Sequence, residues 1–310
     1  MCGRFACSLC PEALRNKVKE SNVAISNEWV NEDKFFPSFN VGPRKFIPVV
    51  RRTTEGSKEL VMQTMQWGFI PSWAKQYPER QPINARSDTL TDGPSMFDHA
   101  KNKNRCVVVS EGFYEWKQLQ GGKKIPHYTK RKDGKLMLFA GLYDVSHIDG
   151  QKLYTCTIIT TAASSFFEFL HNRMPVILEN SSSDVDTWLS DEPWNKKHVE
   201  IMHPFEGKLD CYQVTDAVGS TKNNSPDFVV PVDQLKGSIS NFFKKQKEPP
   251  ATTTATTTTT KGLKREHDED NEKSVMKPIK KEMIHNIDKK MNSHDNVKKK
   301  QKITSFFNKK

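Results

Sequence analysis

Residues 136–161 read LMLFAGLYDVSHIDGQKLYTCTIITT, and this stretch decides the fold. Two runs rich in aliphatic, aromatic and β-branched residues, Leu136–Leu142 and Leu153–Thr161, lie on either side of the dipeptide Asp149-Gly150. Asp-Gly between such runs is the favoured signal for a two-residue β-hairpin turn. The stretch therefore predicts two antiparallel strands joined by a tight turn.

Similar patterns continue outward from this hairpin. Asp133-Gly134 precedes Leu136–Leu142 and predicts a second hairpin turn. Helical patterning is short, as in Pro11–Glu20, where Leu14 and Val18 share one face. A doubly wound parallel sheet would need long crossover helices, so the predicted class is α+β with a curved antiparallel or mixed sheet and short flanking helices. The further strand-like runs are Lys45–Arg51, Leu60–Trp67 and Cys106–Trp116.

Charge divides the 310-residue chain into two parts. The sequence holds 48 Lys and Arg against 37 Asp and Glu, a net charge of +11. Residues 233–310 contain 19 of the basic and 10 of the acidic residues, so +9 lies there and +2 in residues 1–232. A segment so polar buries too little apolar surface to offset its ordering entropy. We expect one folded domain over residues 2–232 and a disordered basic tail over 233–310.

Several protein classes are excluded at this stage. The sequence has no run of 18 apolar residues for a membrane span and no apolar segment after Met1 for a secretory signal, so a soluble intracellular protein is expected. The six cysteines of such a chain should be reduced thiols. Cys7-x-x-Cys10 has no second Cys or His pair at ligand spacing, so no metal and no cofactor are expected.

Cys2 gives the start of the chain a reactive character. Removal of Met1, which the small Cys2 side chain favours, would leave an α-amine and a thiol on one residue, with pKa values of about 7.7–8.0 and about 8.5. Such a pair condenses with an aldehyde to an imine, and the thiol then closes a five-membered thiazolidine. An internal cysteine lacks the free amine. The alternative is that Cys2 is an ordinary second residue.

Three further segments, taken in order with Cys2, are distinctive. They are Trp67–Trp73 (WGFIPSW) with Pro82–Asp88 (PINARSD), Val107–Trp116 (VVVSEGFYEW), and Ile158–Ala162 (IITTA) with His171–Pro175 (HNRMP). Together they resemble the SRAP (SOS response-associated peptidase) family, whose eukaryotic members include abasic-site processing proteins. The resemblance covers about residues 2–230.

The resemblance implies a single domain with a barrel-like sheet that captures abasic sites in single-stranded DNA. An opened abasic sugar has an aldehyde at C1′, which Cys2 would bind as a thiazolidine DNA–protein crosslink. Glu115 matches the family's catalytic carboxylate, and a carboxyl among aromatic side chains should have a raised pKa. His171 matches a histidine that exchanges a proton with the sugar hydroxyl. Asn84 matches an asparagine near the terminal amine and the sugar.

A second group of residues is predicted to bind DNA. Three arginines each lie beside a candidate catalytic residue, which fits phosphate contacts around the lesion. Two tryptophans would provide a stacking surface for neighbouring bases, although a place in the core is the equal alternative. Thr160 lies on the strand that leads to His171. The predicted DNA-binding residues are Arg4, Trp67, Trp73, Arg86, Thr160 and Arg173.

The tail contains a short repeat. Residues 236–243 and 300–307 both have the spacing Lys-x-x-Ile-x-x-Phe-Phe. An aliphatic residue followed by an aromatic pair resembles the motif that binds the sliding clamp (PCNA), although Lys replaces the usual Gln. Basic clusters beside it predict nuclear localisation at replication forks, or a phosphate-binding tail. The predicted clamp residues are Ile239, Phe242, Phe243, Ile303, Phe306 and Phe307.

Three hypotheses of function remain at this point. The preferred one is an enzyme, expected to be a monomer without a membrane partner, that crosslinks itself to abasic sites and protects them during replication-coupled repair. Self-removal of Met1 and a lyase-type side reaction are possible additions. The second is a self-processing cysteine peptidase. The third is a non-catalytic reader of modified or single-stranded DNA, tethered to the clamp.

Overall fold

Strands contain more residues than helices in a computed structural model, which describes residues 2–54, 56–180 and 183–235. In these residues the strands are β1 (Phe5–Cys7), β2 (Ile25–Val30), β3 (Ser38–Val41), β4 (Phe46–Arg52), β5 (Leu60–Trp67), β6 (Asn84–Arg86), β7 (Arg105–Ser110), β8 (Gly112–Gln118), β9 (Lys124–Arg131), β10 (Met137–Ile148), β11 (Gln151–Ala162), β12 (Arg173–Pro175), β13 (Ile177–Leu178) and β14 (Leu209–Gln213). The α-helices are α1 (Pro11–Glu20), α2 (Ser87–Thr91), α3 (Asp98–Lys103), α4 (Ser183–Trp188) and α5 (Lys196–Ile201).

Five of the strands close into a barrel. They are neighbours in the order β5, β4, β7, β10 and β11, and β11 pairs again with β5. The closing contact is parallel, with Cys156 opposite Trp67, whereas the other four contacts are antiparallel. Closure removes the free edges that a sheet of this length would otherwise expose. The predicted α+β class with a barrel-like mixed sheet and short helices is confirmed.

The hairpin at the centre of the sequence argument is present. Ile148 lies opposite Gln151, and the two residues between them, Asp149 and Gly150, have φ angles of 50° and 76°. Two consecutive positive φ angles are what a type I′ turn requires, and Asp-Gly tolerates them. The local sequence therefore determines the register of β10 against β11.

The second predicted hairpin, at Asp133-Gly134, is wrong. Gly134 does turn the chain, with φ at 73°, but the strands before and after it do not pair. Strand β9 pairs with β8 and β14, whereas β10 pairs with β7, β11 and β13. Arg131 binds the carboxylates of both Asp133 and Glu179, which holds the turn in place. The turn therefore moves the chain from one sheet to the other.

The predicted strand Cys106–Trp116 is divided in two at Glu111. Its first half, β7, belongs to the barrel, and its second half, β8, belongs to a five-stranded sheet with the order β14, β9, β8, β1, β3. The Glu111 carboxylate accepts hydrogen bonds from the backbone N–H groups of Ser8 and Leu9 and from the Ser8 hydroxyl. This side chain thus ties the division point to the segment that follows β1.

Pairing of β1 with β8 positions the N-terminal segment. Phe5 lies opposite Phe113, and the Tyr114 N–H donates to the Arg4 carbonyl at 2.9 Å. A continuation of this antiparallel register would place Gly3 opposite Glu115. Helix α1 follows β1 with the predicted bounds and buries Leu14 and Val18. No helix within the described residues is long and apolar enough to span a bilayer.

Candidate active site

Glu115 and His171 form the polar centre of the site. Nε2 of His171 lies 3.9 Å from Oε1 of Glu115, which is 9% exposed. The Arg173 N–H donates to Nδ1 of His171 at 3.0 Å, so the neutral imidazole has its proton on Nε2, the nitrogen that faces Glu115. Burial raises the pKa of the Glu115 carboxyl and lowers the pKa of His171. Both shifts favour the neutral forms, which suits the two groups to the exchange of a proton.

Cys2 is buried beside this pair. Its side chain is 1% exposed and belongs to the hydrophobic core. Burial raises the pKa of its thiol well above the ordinary value, and the negative charge of Glu115 raises it further. The thiol therefore stays protonated at neutral pH. Glu115 is thus close enough to sense ionisation of Cys2 as well as to approach His171.

Asn84 is positioned by a parallel strand pairing. It begins β6, which lies alongside β11 with Asn84 opposite Ile158. Its amide N–H donates to the Ile158 carbonyl at 3.5 Å, a long hydrogen bond. Oδ1 of Asn84 is buried and accepts no hydrogen bond from the described residues. A buried acceptor without a donor is costly, so this oxygen is suited to receive an N–H or O–H from a bound molecule.

The second half of β11 brings two of the predicted arginines together. On one side, Thr160 of β11 pairs with Arg86 of β6. On its other side, β11 pairs with β12, whose first residue is Arg173. Arg173 donates to both the carbonyl and the hydroxyl of Thr160. Asp88 accepts from Arg86 and lies 3.5 Å from Nη1 of Arg173, and the Arg86 hydrogen bonds hold the pKa of Asp88 low. Asp88 therefore bridges both cations.

Arg4 is held by the chain rather than free in solvent. Its guanidinium donates to Asn40 Oδ1 at 2.6 Å and to the carbonyls of Val218 and Gly219 at 2.9 and 3.3 Å. It also stacks over the Trp116 ring, with 5.5 Å from Cζ to the centroid. Arg4 therefore positions the wall of the site, and only its remaining face is left for a phosphate.

An open cleft of about 650 Å³ lies against Glu115 and His171, whereas Cys2, Asn84 and the Arg86–Asp88–Arg173 group are not among its lining residues. The site residues that line it are Arg4, Glu115 and His171. The rest of its wall was not predicted, because these residues come from the ends of β8 and β9, the turn before His171 and the segment at Gly219, which no single motif connects. The wall residues added by the structure are Trp116, Lys117, Gln118, Lys124, Phe169, Leu170 and Gly219.

The two candidate stacking tryptophans have opposite environments. Trp67 is fully buried, its ring centroid is 5.2 Å from that of Phe5, and its indole N–H donates to the Ile83 carbonyl at 2.9 Å. Stacking of Trp67 on a DNA base is therefore wrong, and its core alternative holds. Trp73 is 70% exposed on a loop whose Ser72 N–H is held by buried Asp144. Trp73 remains a predicted DNA contact.

Six predicted site residues lie outside the described part of the chain. Clamp binding therefore stays a prediction of the sequence, as do the domain boundary at residue 232 and the nuclear localisation. The residues are Ile239, Phe242, Phe243, Ile303, Phe306 and Phe307.

The structure thus defines a closed mixed barrel with a buried carboxyl–imidazole pair, a buried cysteine near the carboxyl and two arginines bridged by a carboxylate. The chain matches the family model "SOS response associated peptidase (SRAP)" over residues 1–221. It therefore belongs to the SRAP family.

Named relatives cover most of the folded part. The chain is 36% identical over 233 residues to "Abasic site processing protein YoqW" of Bacillus subtilis, covering 74% of this chain and 99% of that protein. It is 32% identical over 265 residues to "Abasic site processing protein HMCES" of Gallus gallus, covering 75% and 78%. An X-ray crystal structure of a protein from Bacteroides thetaiotaomicron is 26% identical, with a TM-score of 0.61, covering 73% and 99%.

Proposed function

We propose that this protein captures abasic sites in single-stranded DNA by a covalent bond to Cys2, after removal of Met1. The names of the relatives support abasic-site processing as the general activity. The observation on which the proposal mainly rests is the contact of Glu115 with His171 beside Cys2, on an open cleft walled by cations. A proton-transfer pair at an aminothiol fits addition to an aldehyde better than any other reaction of these groups.

The first step forms a carbon–nitrogen bond. The Cys2 amine adds to C1′ of the opened abasic sugar, and the carbonyl oxygen takes a proton. Loss of one water then leaves the imine. Glu115 suits this step because its raised pKa lets it hold a proton for the departing oxygen. His171, with its proton on Nε2, is placed to receive or return a proton at the sugar.

The second step closes the ring. The Cys2 sulfur adds to the imine carbon, and the thiol proton moves to the nitrogen, which gives the thiazolidine without an oxidant or a reductant. Because burial raises the pKa of the Cys2 thiol, the sulfur must give up its proton as it adds, and the imine nitrogen is the base that takes this proton. Ring closure also removes the imine from which strand cleavage would proceed. A lyase reaction is therefore a minor route in this scheme.

Binding of the strand is assigned to the remaining polar groups. Arg86 and Arg173 would bind the phosphates on either side of the lesion, with Thr160 orienting Arg173. The buried oxygen of Asn84 would accept a hydrogen bond from the Cys2 amine or a sugar hydroxyl. These contacts would hold the aldehyde next to the amine, which converts a slow bimolecular addition into an intramolecular one.

The experiment compares single-stranded oligonucleotides with and without one abasic site. Wild-type protein lacking Met1 should give a shift that survives denaturation only with the abasic strand. Cys2→Ala should give none, and Glu115→Gln should form the product at least about tenfold more slowly. A shift of the same size with Cys2→Ala would contradict the proposal.

A cysteine peptidase would require Cys2 to be ionised. A cysteine peptidase attacks with a thiolate, whereas burial and the charge of Glu115 both oppose ionisation of this thiol. Turnover of peptide substrates in the absence of DNA would support the peptidase. The non-catalytic reader predicts fully reversible, salt-sensitive binding that Glu115→Gln leaves unchanged.

A further inference from the structure

Two phenylalanines beside the cleft are unusually exposed. Phe166 and Phe169 each expose 47% of their surface, whereas their neighbours Phe167 and Leu170 are buried. The buried pair anchors the turn that leads to His171, and this leaves the other two rings at the surface. Exposed aromatic rings next to one another, at the edge of a cleft, are typical of a binding surface.

These rings form a cluster with two basic side chains. The centroids of Phe166 and Phe169 lie 6.4 Å apart in an edge-to-face arrangement, and His127 lies 6.2 Å from Phe169. The ammonium of Lys117 lies 5.3 Å from the centroid of the Phe169 ring. We call the cluster of Phe166, Phe169, Lys117 and His127 the aromatic rim.

The aromatic rim is continuous with the candidate active site. Phe169, Leu170 and His171 follow one another along the wall of the cleft, and Lys117 and Lys124 line the same cleft. An aromatic face bordered by ammonium groups matches single-stranded nucleic acid, whose bases stack and whose phosphates pair with cations. A peptide partner would not require this combination so close to a site for an abasic sugar.

We propose that Phe169 is the stacking platform for the base next to the abasic sugar, with Lys117 as its phosphate contact. The proposal deepens the proposed function and rests on it. In the free protein the Lys117 ammonium lies over the ring. Because base stacking is stronger than an exposed cation–π contact, the incoming base displaces the ammonium, which then reaches the adjacent phosphate.

The test measures binding of a strand with no aldehyde. The probe is a single-stranded oligonucleotide with tetrahydrofuran, an inert abasic analogue, and binding is followed by fluorescence anisotropy. Phe169→Ala should weaken binding about tenfold, and Phe169→Trp should retain it. Phe36→Ala removes a ring that is 76% exposed and is not among the residues lining the cleft, so it should change affinity by less than about twofold.

A second set of strands identifies the stacked base. Each strand lacks one base on one side of the tetrahydrofuran. Removal of the base at one of these positions should weaken wild-type binding about tenfold. The same removal should not weaken binding by Phe169→Ala, because this variant already lacks the ring on which the base would stack. Lys117→Gln should reduce the magnitude of the slope of log affinity against log salt concentration by about 1, which corresponds to the loss of one phosphate contact.

Two results would overturn the proposal. One is binding of Phe169→Ala within twofold of the wild type on every strand. The other is a loss of affinity in Phe169→Ala that is the same for strands with and without the neighbouring base. An equal loss would reflect a general distortion of the site rather than the loss of stacking. Failure of the proposed function is visible separately, as absence of a covalent product when wild-type protein meets a strand with the true aldehyde.

Discussion

Nε2 of His171 lies 3.9 Å from Oε1 of Glu115, although the two residues belong to different parts of the fold. Glu115 is on β8 of the five-stranded sheet, and His171 is in the turn between the barrel strand β11 and its neighbour β12. The pair therefore exists only when both sheets are correctly packed. Any change that separates the sheets should remove the chemistry before it unfolds the chain.

The charge of Glu115 should make folding stability depend on pH. Burial raises its pKa in the folded state, so the unfolded chain loses this proton first as the pH rises from the ordinary value of 4.5. Above that pH the folded state binds more protons than the unfolded chain does. The contribution of Glu115 to the free energy of unfolding therefore falls with rising pH. Thermal unfolding of the wild type and Glu115→Gln from pH 4 to 8 measures this.

In that comparison, the variant should gain stability relative to the wild type as the pH increases. A relative loss at high pH would mean that the folded state favours the carboxylate, and would remove the argument for Glu115 as a proton donor.

Trp67 and Trp73 should respond oppositely to truncation. Trp67→Ala removes a fully buried indole and its hydrogen bond to Ile83, and should lower the free energy of unfolding by about 3–5 kcal/mol. Trp73→Ala should leave stability within about 0.5 kcal/mol but weaken binding of single-stranded DNA. Urea unfolding and anisotropy, applied to both variants, separate the two roles. Equal destabilisation by both would argue against the exposed position of Trp73.

Asp88 should restrain DNA binding. It bridges Arg86 and Arg173, and a phosphate must compete with it for both cations. Asp88→Asn should tighten binding of single-stranded DNA about threefold at low salt, with the gain disappearing as salt increases. Asp98→Asn, which breaks an ion pair with Lys101 instead, is the matched control and should have no effect. Weaker binding by Asp88→Asn would indicate that Asp88 orients the arginines.

Gly112 is required by a close approach of β8 to its neighbour. A Cβ at this position would lie 2.5 Å from the Tyr128 ring and 2.6 Å from the Thr129 carbonyl oxygen. Gly112→Ala should therefore cost about 3 kcal/mol or more of unfolding free energy and displace Glu115. Gly219→Ala, where a Cβ meets nothing within 4 Å, is the control. A Gly112→Ala variant as stable as the wild type would contradict this packing.

The elements that the sequence predicts best are the local ones. Helix α1 needs only its own spacing, and the turn at Asp149-Gly150 specifies its own backbone angles. The hairpin predicted at Asp133-Gly134 is wrong because the same dipeptide also suits a crossing between sheets, where the distant carboxylate of Glu179 binds Arg131. The residues of a turn specify where the backbone bends, whereas tertiary contacts determine which strand pairs with the strand that follows.

The candidate site shows the same division. Glu115 and His171 were identified by motif, but the bridge of Asp88 to Arg173 and the position of Phe169 depend on how β11 lies between β6 and β12. Such long-range pairing leaves no local pattern. The two tryptophans illustrate the limit, since a similar motif context predicts neither the burial of Trp67 nor the exposure of Trp73.

The most direct test of the central claim is the intact mass of the denatured adduct with an abasic strand. The expected mass is that of the chain without Met1 plus that of the oligonucleotide, less one water, with the attachment on the N-terminal Cys2 residue. An adduct whose mass includes Met1, or one formed equally by Cys2→Ala without a reductant, would contradict it.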